Sequence, residues 1–156
     1  MGGEPRHLGG RLGGVLGTVP RGAASIVDVG AGDGQLAVAL ARRGMRVVAV
    51  ERTEAALARL REAAGGTCDC RLGDGLGPLR GGEVEGAAIA GIGARTMIRI
   101  LHAAPERVRD LSWMVLQPQQ EASRLERGLA EMGLAVAAAR WAVERRRLYR
   151  VLLIRI

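Results

Sequence analysis

The chain has 156 residues, 48% of them hydrophobic and 25% charged, and its 23 basic residues against 16 acidic ones give a formal net charge of +7. That length fits one domain, expected over 1–156 with 1–22 as an N-terminal helix and lead-in, burying roughly two-thirds of its unfolded surface. Every basic residue is an arginine, which excludes a P-loop lysine, a Schiff base and a lysine general base.

Residues 8–19 carry apolar side chains at helical spacing (Leu8, Leu12, Val15, Leu16, Val19) before Pro20 and Gly22 break the pattern. Five glycines make this a poor helix on its own. An apolar β-branched strand over 24–27 leads into Asp28-Val29-Gly30-Ala31-Gly32-Asp33-Gly34, and 35–42 reads as a helix. A second strand over 46–50 ends on Glu51; Thr53 is the expected N-cap of a helix reaching about residue 64, where Gly65-Gly66 stop it. A third strand is expected over 67–72, a fourth over 86–90, a helix from 94 to about 102, a fifth strand over 113–116 and a helix over 121–132 stopped by Gly133. The end differs in kind. Residues 134–143 and 148–156, joined by Glu144-Arg145-Arg146-Arg147, read as an antiparallel hairpin. The expected fold class is therefore α/β: a Rossmann-like class I methyltransferase sheet, mostly parallel, with a C-terminal antiparallel hairpin.

The loop at 28–34 reads as a nucleotide-binding turn, because glycines let backbone N–H groups approach a ligand with a helix N-terminus behind them. Its glycines are spaced G-x-G-x-G, whereas a dinucleotide fingerprint is G-x-G-x-x-G. Asp28 suits an ammonium-bearing ligand better than a diphosphate. Glu51 can accept from two ribose hydroxyls, and Asp74 from an adenine amino group. Three acids on successive strand ends favour S-adenosyl-L-methionine over NAD or FAD. The alternative reading of the same residues is a set of caps and turn formers. Cys68 and Cys70 share one strand face and are expected to be reduced, not metal ligands; no metal is expected, and His7 and His102 are isolated. The first six residues lack an apolar signal core and no apolar run reaches the roughly 18 residues of a membrane span, so no membrane and a cytoplasmic location are expected. The net charge suggests a polyanionic partner such as nucleic acid, with a generally basic solvated surface as the alternative.

Arg71-Leu72-Gly73-Asp74-Gly75-Leu76, Ile89-Ala90-Gly91-Ile92-Gly93 and Leu116-Gln117-Pro118 occur in the order and spacing of three motifs of one family. They resemble R-L-G-D-G-L, I-A-G-M-G-G and L-Q-P-N of the bacterial tRNA (adenine(22)-N1)-methyltransferase family, TrmK. The likeness runs from Arg11-Leu12 through Val19-Pro20 to Glu144 and Tyr149-Arg150-Val151 in the hairpin. It implies an S-adenosylmethionine pocket formed by Asp28, Gly30, Ala31, Gly32, Glu51, Arg52, Asp74, Gly75, Ala90 and Gly91. It further implies a methyl-acceptor side at Gln117 and Pro118. Arg95, which with Arg99 opens the helix after Gly91-Ile92-Gly93, is expected beside the active cleft as a substrate contact. The family's first motif places an acid where this chain has Gly32, and Asp33 takes the following position. Asp33 is accordingly the candidate catalytic carboxylate, or else a turn and cap residue. The family continues into a helical C-terminal region that helps hold tRNA, whereas this sequence ends at Ile156; a protein partner or a homo-oligomer is one expectation for what supplies that surface. Activity on N1 of a tRNA adenine is the first expectation. The second is an S-adenosylmethionine-binding module without independent catalysis, or a methyltransferase for a small molecule or protein.

Overall fold

The computed structural model describes residues 8–156; His7 lies outside the described residues. The chain folds as α1 (Gly10–Thr18), β1 (Ser25–Val29), α2 (Gln35–Arg42), β2 (Arg46–Glu51), α3 (Glu54–Ala64), β3 (Asp69–Leu72), β4 (Gly86–Ile92), α4 (Ala94–Ala103), α5 (Pro105–Asp110), β5 (Trp113–Pro118), α6 (Ala122–Glu131), β6 (Ala135–Glu144) and β7 (Arg147–Arg155). Every expected element is present, and Thr53 caps α3 as read, its side chain accepting from the Ala56 amide. One element was not anticipated. α5 is six residues long and starts on Pro105, whose fixed φ and missing N–H suit the first helical turn; with a single buried residue, Val108, it carries no apolar period to read.

The sheet order is β3-β2-β1-β4-β5-β7-β6. The first five strands pair in parallel, and β7 and β6 join antiparallel at the β5 edge. The order reverses between β1 and β4, so the loops at their carboxyl ends open a crevice where α/β sheets bind ligands. Each face of the sheet carries its own core. On one, Ile26, Val47, Ala49 and Val151 pack against residues of α1, α2 and α3 such as Val15, Leu40 and Leu60. On the other, Val27, Val48, Ile89 and Leu152 pack against α4, α5 and α6 through Met97, Val108 and Leu125. The central strands are buried on both faces, which explains why they read as continuous apolar runs, not alternating ones.

The glycine-rich α1 exists because of what it touches. A Cβ on Gly14 would stand 2.6 Å from the Ala142 Cβ on β6. The missing side chain lets the helix lie directly on the hairpin, and contact with β6, β7 and β5 offsets its weak intrinsic propensity. α1 thereby reaches the carboxyl-end crevice and places Arg11 and Leu12 on its wall.

Candidate functional site

Asp28 is the fourth residue of β1, level with Ala49 and Ala88 on the flanking strands. Only 3% of it is exposed, and its Oδ2 has no hydrogen-bond partner. Burial, reinforced by the nearby Glu51 carboxylate and opposed by the Ala37 amide, pushes its carboxyl up to about 7. The turn that follows is closed by Gly30 and Ala31 amides donating to the Val50 carbonyl and by the Gly34 amide donating to Ala31. Gly30, Gly32 and Gly34 all have positive φ, between 59° and 80°, which only glycine adopts freely. The residue spacing G-x-G-x-G is therefore the geometric requirement of this turn.

Glu51 ends β2, and its Oε1 accepts from the Gly32 amide at 2.5 Å. The acid that sequence reading assigned to a ribose is seen here fixing the loop. Beyond β3, Asp74 is half exposed and meets two guanidinium groups: Arg99 Nη1 at 2.9 Å and Arg52 Nε at 3.7 Å. Arg99 holds its carboxyl below the usual range.

Asp28 and Asp74 border the two parts of one divided slot, and Glu51 lines neither. The larger part, about 220 Å³, is walled by Arg11, Asp28, Gly32, Asp33 and Gly91, and the smaller part, about 90 Å³, by Arg52, Asp74, Gly75, Thr96 and Arg99. Gly30 and Ile92 border both. A larger hollow of about 410 Å³ lies on the outer side of α2. It touches the loop at Asp33 and Gly34 but reaches none of the three strand-end acids.

Ala31 is buried against the α2 side of the core, and Ala90 lines the larger part of the slot. Gln117 is fully buried and its side chain is spent internally. Its Oε1 accepts from Arg11 Nη1 at 2.7 Å and from the Gly91 amide at 3.0 Å, while Nε2 donates to the Pro118 carbonyl at 2.8 Å. Arg11 also approaches Glu144 at 3.7 Å. The crevice is thus braced from α1 through β4 and β5 to the hairpin. Sequence reading had no signal for this brace, because Arg11 and Gln117 are 106 residues apart. Pro118 is buried at the end of β5. Asp33 is exposed, and both its oxygens accept from Gln35: the backbone amide at 3.4 Å and Nε2 at 2.6 Å. Arg95 stands apart from the slot, in a shallow groove of about 320 Å³ between α4 and α6 that also holds Arg124 and Arg127. Cys68 and Cys70 are free thiols whose pKa burial raises. Among the described residues no group of three or more His, Cys, Asp or Glu is placed to hold a metal, and no helix is long and apolar enough to cross a membrane.

The donor set fits S-adenosylmethionine. The larger part of the slot holds an orphaned buried carboxyl oxygen of Asp28, a group whose chemistry suits an ammonium, and the smaller part holds the Asp74 carboxylate, an acceptor suited to an amino group. A mostly parallel sheet in this order, with that slot at its switch point, defines a Rossmann-like S-adenosylmethionine-dependent methyltransferase domain. The chain belongs to the methyltransferase domain family, whose model matches residues 8–152. No curated protein matches it by sequence. Solved structures do. The TrmK tRNA methyltransferase (m1A22) of B. subtilis is 25% identical with a TM-score of 0.84, over 95% of this chain and 66% of that one. A Streptococcus pneumoniae protein assigned as a tRNA (m1A22) methyltransferase, solved with S-adenosyl-L-methionine, is 25% identical with a TM-score of 0.85, over 92% of this chain and 71% of that one. The magnesium protoporphyrin IX methyltransferase of Synechocystis shares the fold at 16% identity and a TM-score of 0.69, over 92% of this chain and 75% of that one. The chain thus spans about two thirds of the length of the two tRNA methyltransferase structures.

Proposed function

We propose that the protein transfers a methyl group from S-adenosylmethionine to N1 of an adenine in tRNA. The observation that carries the reading is the braced crevice itself: Gln117, at the end of β5, ties together Arg11 and Gly91 of the slot wall in a chain similar to two tRNA (m1A22) methyltransferases. The net charge of +7 and the groove of Arg95, Arg124 and Arg127 between α4 and α6 suit a polyanionic substrate.

S-adenosylmethionine supplies an electrophilic methyl group on a sulfonium centre. In this proposal Asp28 binds the ammonium end, Glu51 the ribose, and Asp74, with Arg52 and Arg99 beside it, the adenine end. Gly30, Ala31, Gly32, Gly75, Ala90 and Gly91 shape the slot between them. Gln117 acts as a positioning residue, since both its acceptor bonds hold the crevice wall. The acceptor is a ring-nitrogen lone pair, so alignment contributes most of the rate. A carboxylate near the base stabilises the cationic N1-methyladenine product. Asp33 is the candidate for that carboxylate, and turning towards a base means releasing Gln35. Arg95 contacts the tRNA backbone.

The Asp33–Gln35 pairing favours a second reading, a domain that binds S-adenosylmethionine and does not turn it over alone. One experiment separates the two. Incubation with unmodified tRNA and labelled S-adenosylmethionine, followed by nucleoside mass spectrometry, is expected to yield 1-methyladenosine, and Asp33→Ala is expected to lower turnover at least tenfold. Cofactor binding without methylated adenosine in any tRNA tested overturns the enzyme reading; unchanged turnover in Asp33→Ala reduces that residue to a cap.

A further inference from the structure

The β6–β7 hairpin carries a feature that the cofactor slot does not use. Its turn has only two central residues, Arg145 and Arg146, and both have positive φ (48° and 64°). Asn-Gly is the pair this turn favours, because φ above zero is strained for a residue with a long side chain. Here arginines occupy both places, with Arg147 next to them. Below the turn, Trp141 and Val143 lie on one face of β6, and Val143 pairs with Leu148 of β7. These three are 62%, 59% and 64% exposed. The indole is held, not loose: the Arg150 guanidinium stands 4.9 Å from its ring centroid, and Arg150 is in turn 3.8 Å from Glu126 of α6.

The patch is at the ligand end of the sheet. β7 pairs with β5 up to Leu116↔Leu152, so Arg147 stands five residues further on, beyond the carboxyl end of β5. Glu144, at the base of the turn, touches Arg11, which walls the slot. The acidic side chains near the tip are already paired, Glu144 with Arg11 and Glu126 with Arg150, whereas Arg145, Arg146 and Arg147 have no ion-pair partner among the described residues.

We infer that the hairpin tip is an RNA-binding platform, on which an unpaired nucleotide stacks on Trp141 while adjoining phosphates sit on Arg145 and Arg146. A fixed aromatic beside unneutralised guanidinium groups is the combination that binds single-stranded nucleic acid, since every base has a π-face and every linkage a charge. The inference rests on the proposed RNA substrate and adds where the strand runs.

The test is equilibrium binding of unmodified tRNA, across a salt series, to the wild type and to Arg145→Asn/Arg146→Gly. That double variant installs the relaxed turn pair, so its thermal midpoint should equal or exceed the wild type's and misfolding does not cloud the result. It is expected to weaken RNA binding at least tenfold and to flatten the slope of log Kd against log salt by roughly 1.5, two phosphate contacts' worth. Trp141→Leu is expected to cost a similar factor and Trp141→Phe to restore most of it. Unchanged affinity and slope in the double variant and in Trp141→Leu, in a wild type that methylates tRNA, overturn the platform and leave the activity standing. A wild type that neither binds nor methylates tRNA overturns both. Loss of a concentration-dependent dimer in Trp141→Leu, with RNA affinity unchanged, overturns the platform by assigning the patch to a second copy of the chain.

Discussion

The buried carboxyl of Asp28 makes a sharp prediction, because it sets stability against ligand binding at one atom. In the folded protein it keeps its proton up to about pH 7, whereas the unfolded chain releases it near 3.8. Above 3.8 the unfolded state therefore gains from ionisation while the folded state does not, and stability falls with rising pH until the folded group also ionises. At 1.36 kcal/mol per tenfold change in proton affinity, the charged carboxylate costs the folded state about 4 kcal/mol above neutral pH. Asp28→Asn removes the charge and nearly preserves the shape. The difference in stability between variant and wild type is expected to widen in the variant's favour by about 3 kcal/mol between pH 5 and pH 8, or roughly 6–12 °C in thermal midpoint. Taking the difference cancels groups common to both proteins. Glu83, held down to about 2 chiefly by its hydrogen bonds from Arg71, and Asp74, held down by Arg99, titrate below this window in any case. The same variant should lose cofactor affinity, and the wild type's affinity should strengthen roughly five- to tenfold from pH 6 to 7.5 as Asp28 ionises while the ligand's amine stays protonated. Differential scanning calorimetry at pH 5, 6.5 and 8, with titration calorimetry of S-adenosylmethionine, reads both quantities. A stability difference that stays constant across that range refutes the reasoning.

Three further outcomes follow from the geometry. Glu51→Gln should weaken S-adenosylmethionine binding by at least tenfold, since the carboxylate holds the Gly32 amide and is the proposed acceptor for the ribose; titration calorimetry checks it. Gln117→Leu leaves the Gly91 amide and one Arg11 donor without their acceptor and should cost about 1–3 kcal/mol in urea unfolding. Gly14→Ala and Gly17→Ala should move stability in opposite directions. The added Cβ at Gly14 meets Ala142 at 2.6 Å, an overpacking cost of about 1–3 kcal/mol that exceeds the helix-propensity gain. At Gly17 the nearest atom is the Arg140 side chain at 3.6 Å, so about 1 kcal/mol of propensity gain survives; thermal melts of both variants decide it.

The elements of this fold were legible because their signals are local. A strand buried on both faces is a run of apolar β-branched residues; α3 announces its start with Thr53 and its end with Gly65; the hairpin is marked by a polar turn between two apolar stretches. The short α5 escaped because six residues with one buried side chain have no period. The strand-end acids were also legible, since their positions in the sequence follow from where each strand stops.

What the acids do was decided by tertiary structure. Sequence alone determined that Asp28, Glu51 and Asp74 would stand at successive strand ends along the carboxyl edge of a mostly parallel sheet, because parallel connections bring those ends to the same side. It could not show that Asp28 lacks a partner, that Glu51 ties down the Gly32 amide, that Asp74 lies between Arg52 and Arg99, or that Gln117 is spent on Arg11 and Gly91. Burial, pairing and the charge a group carries depend on residues tens of positions away, and only the folded chain brings those neighbours within reach.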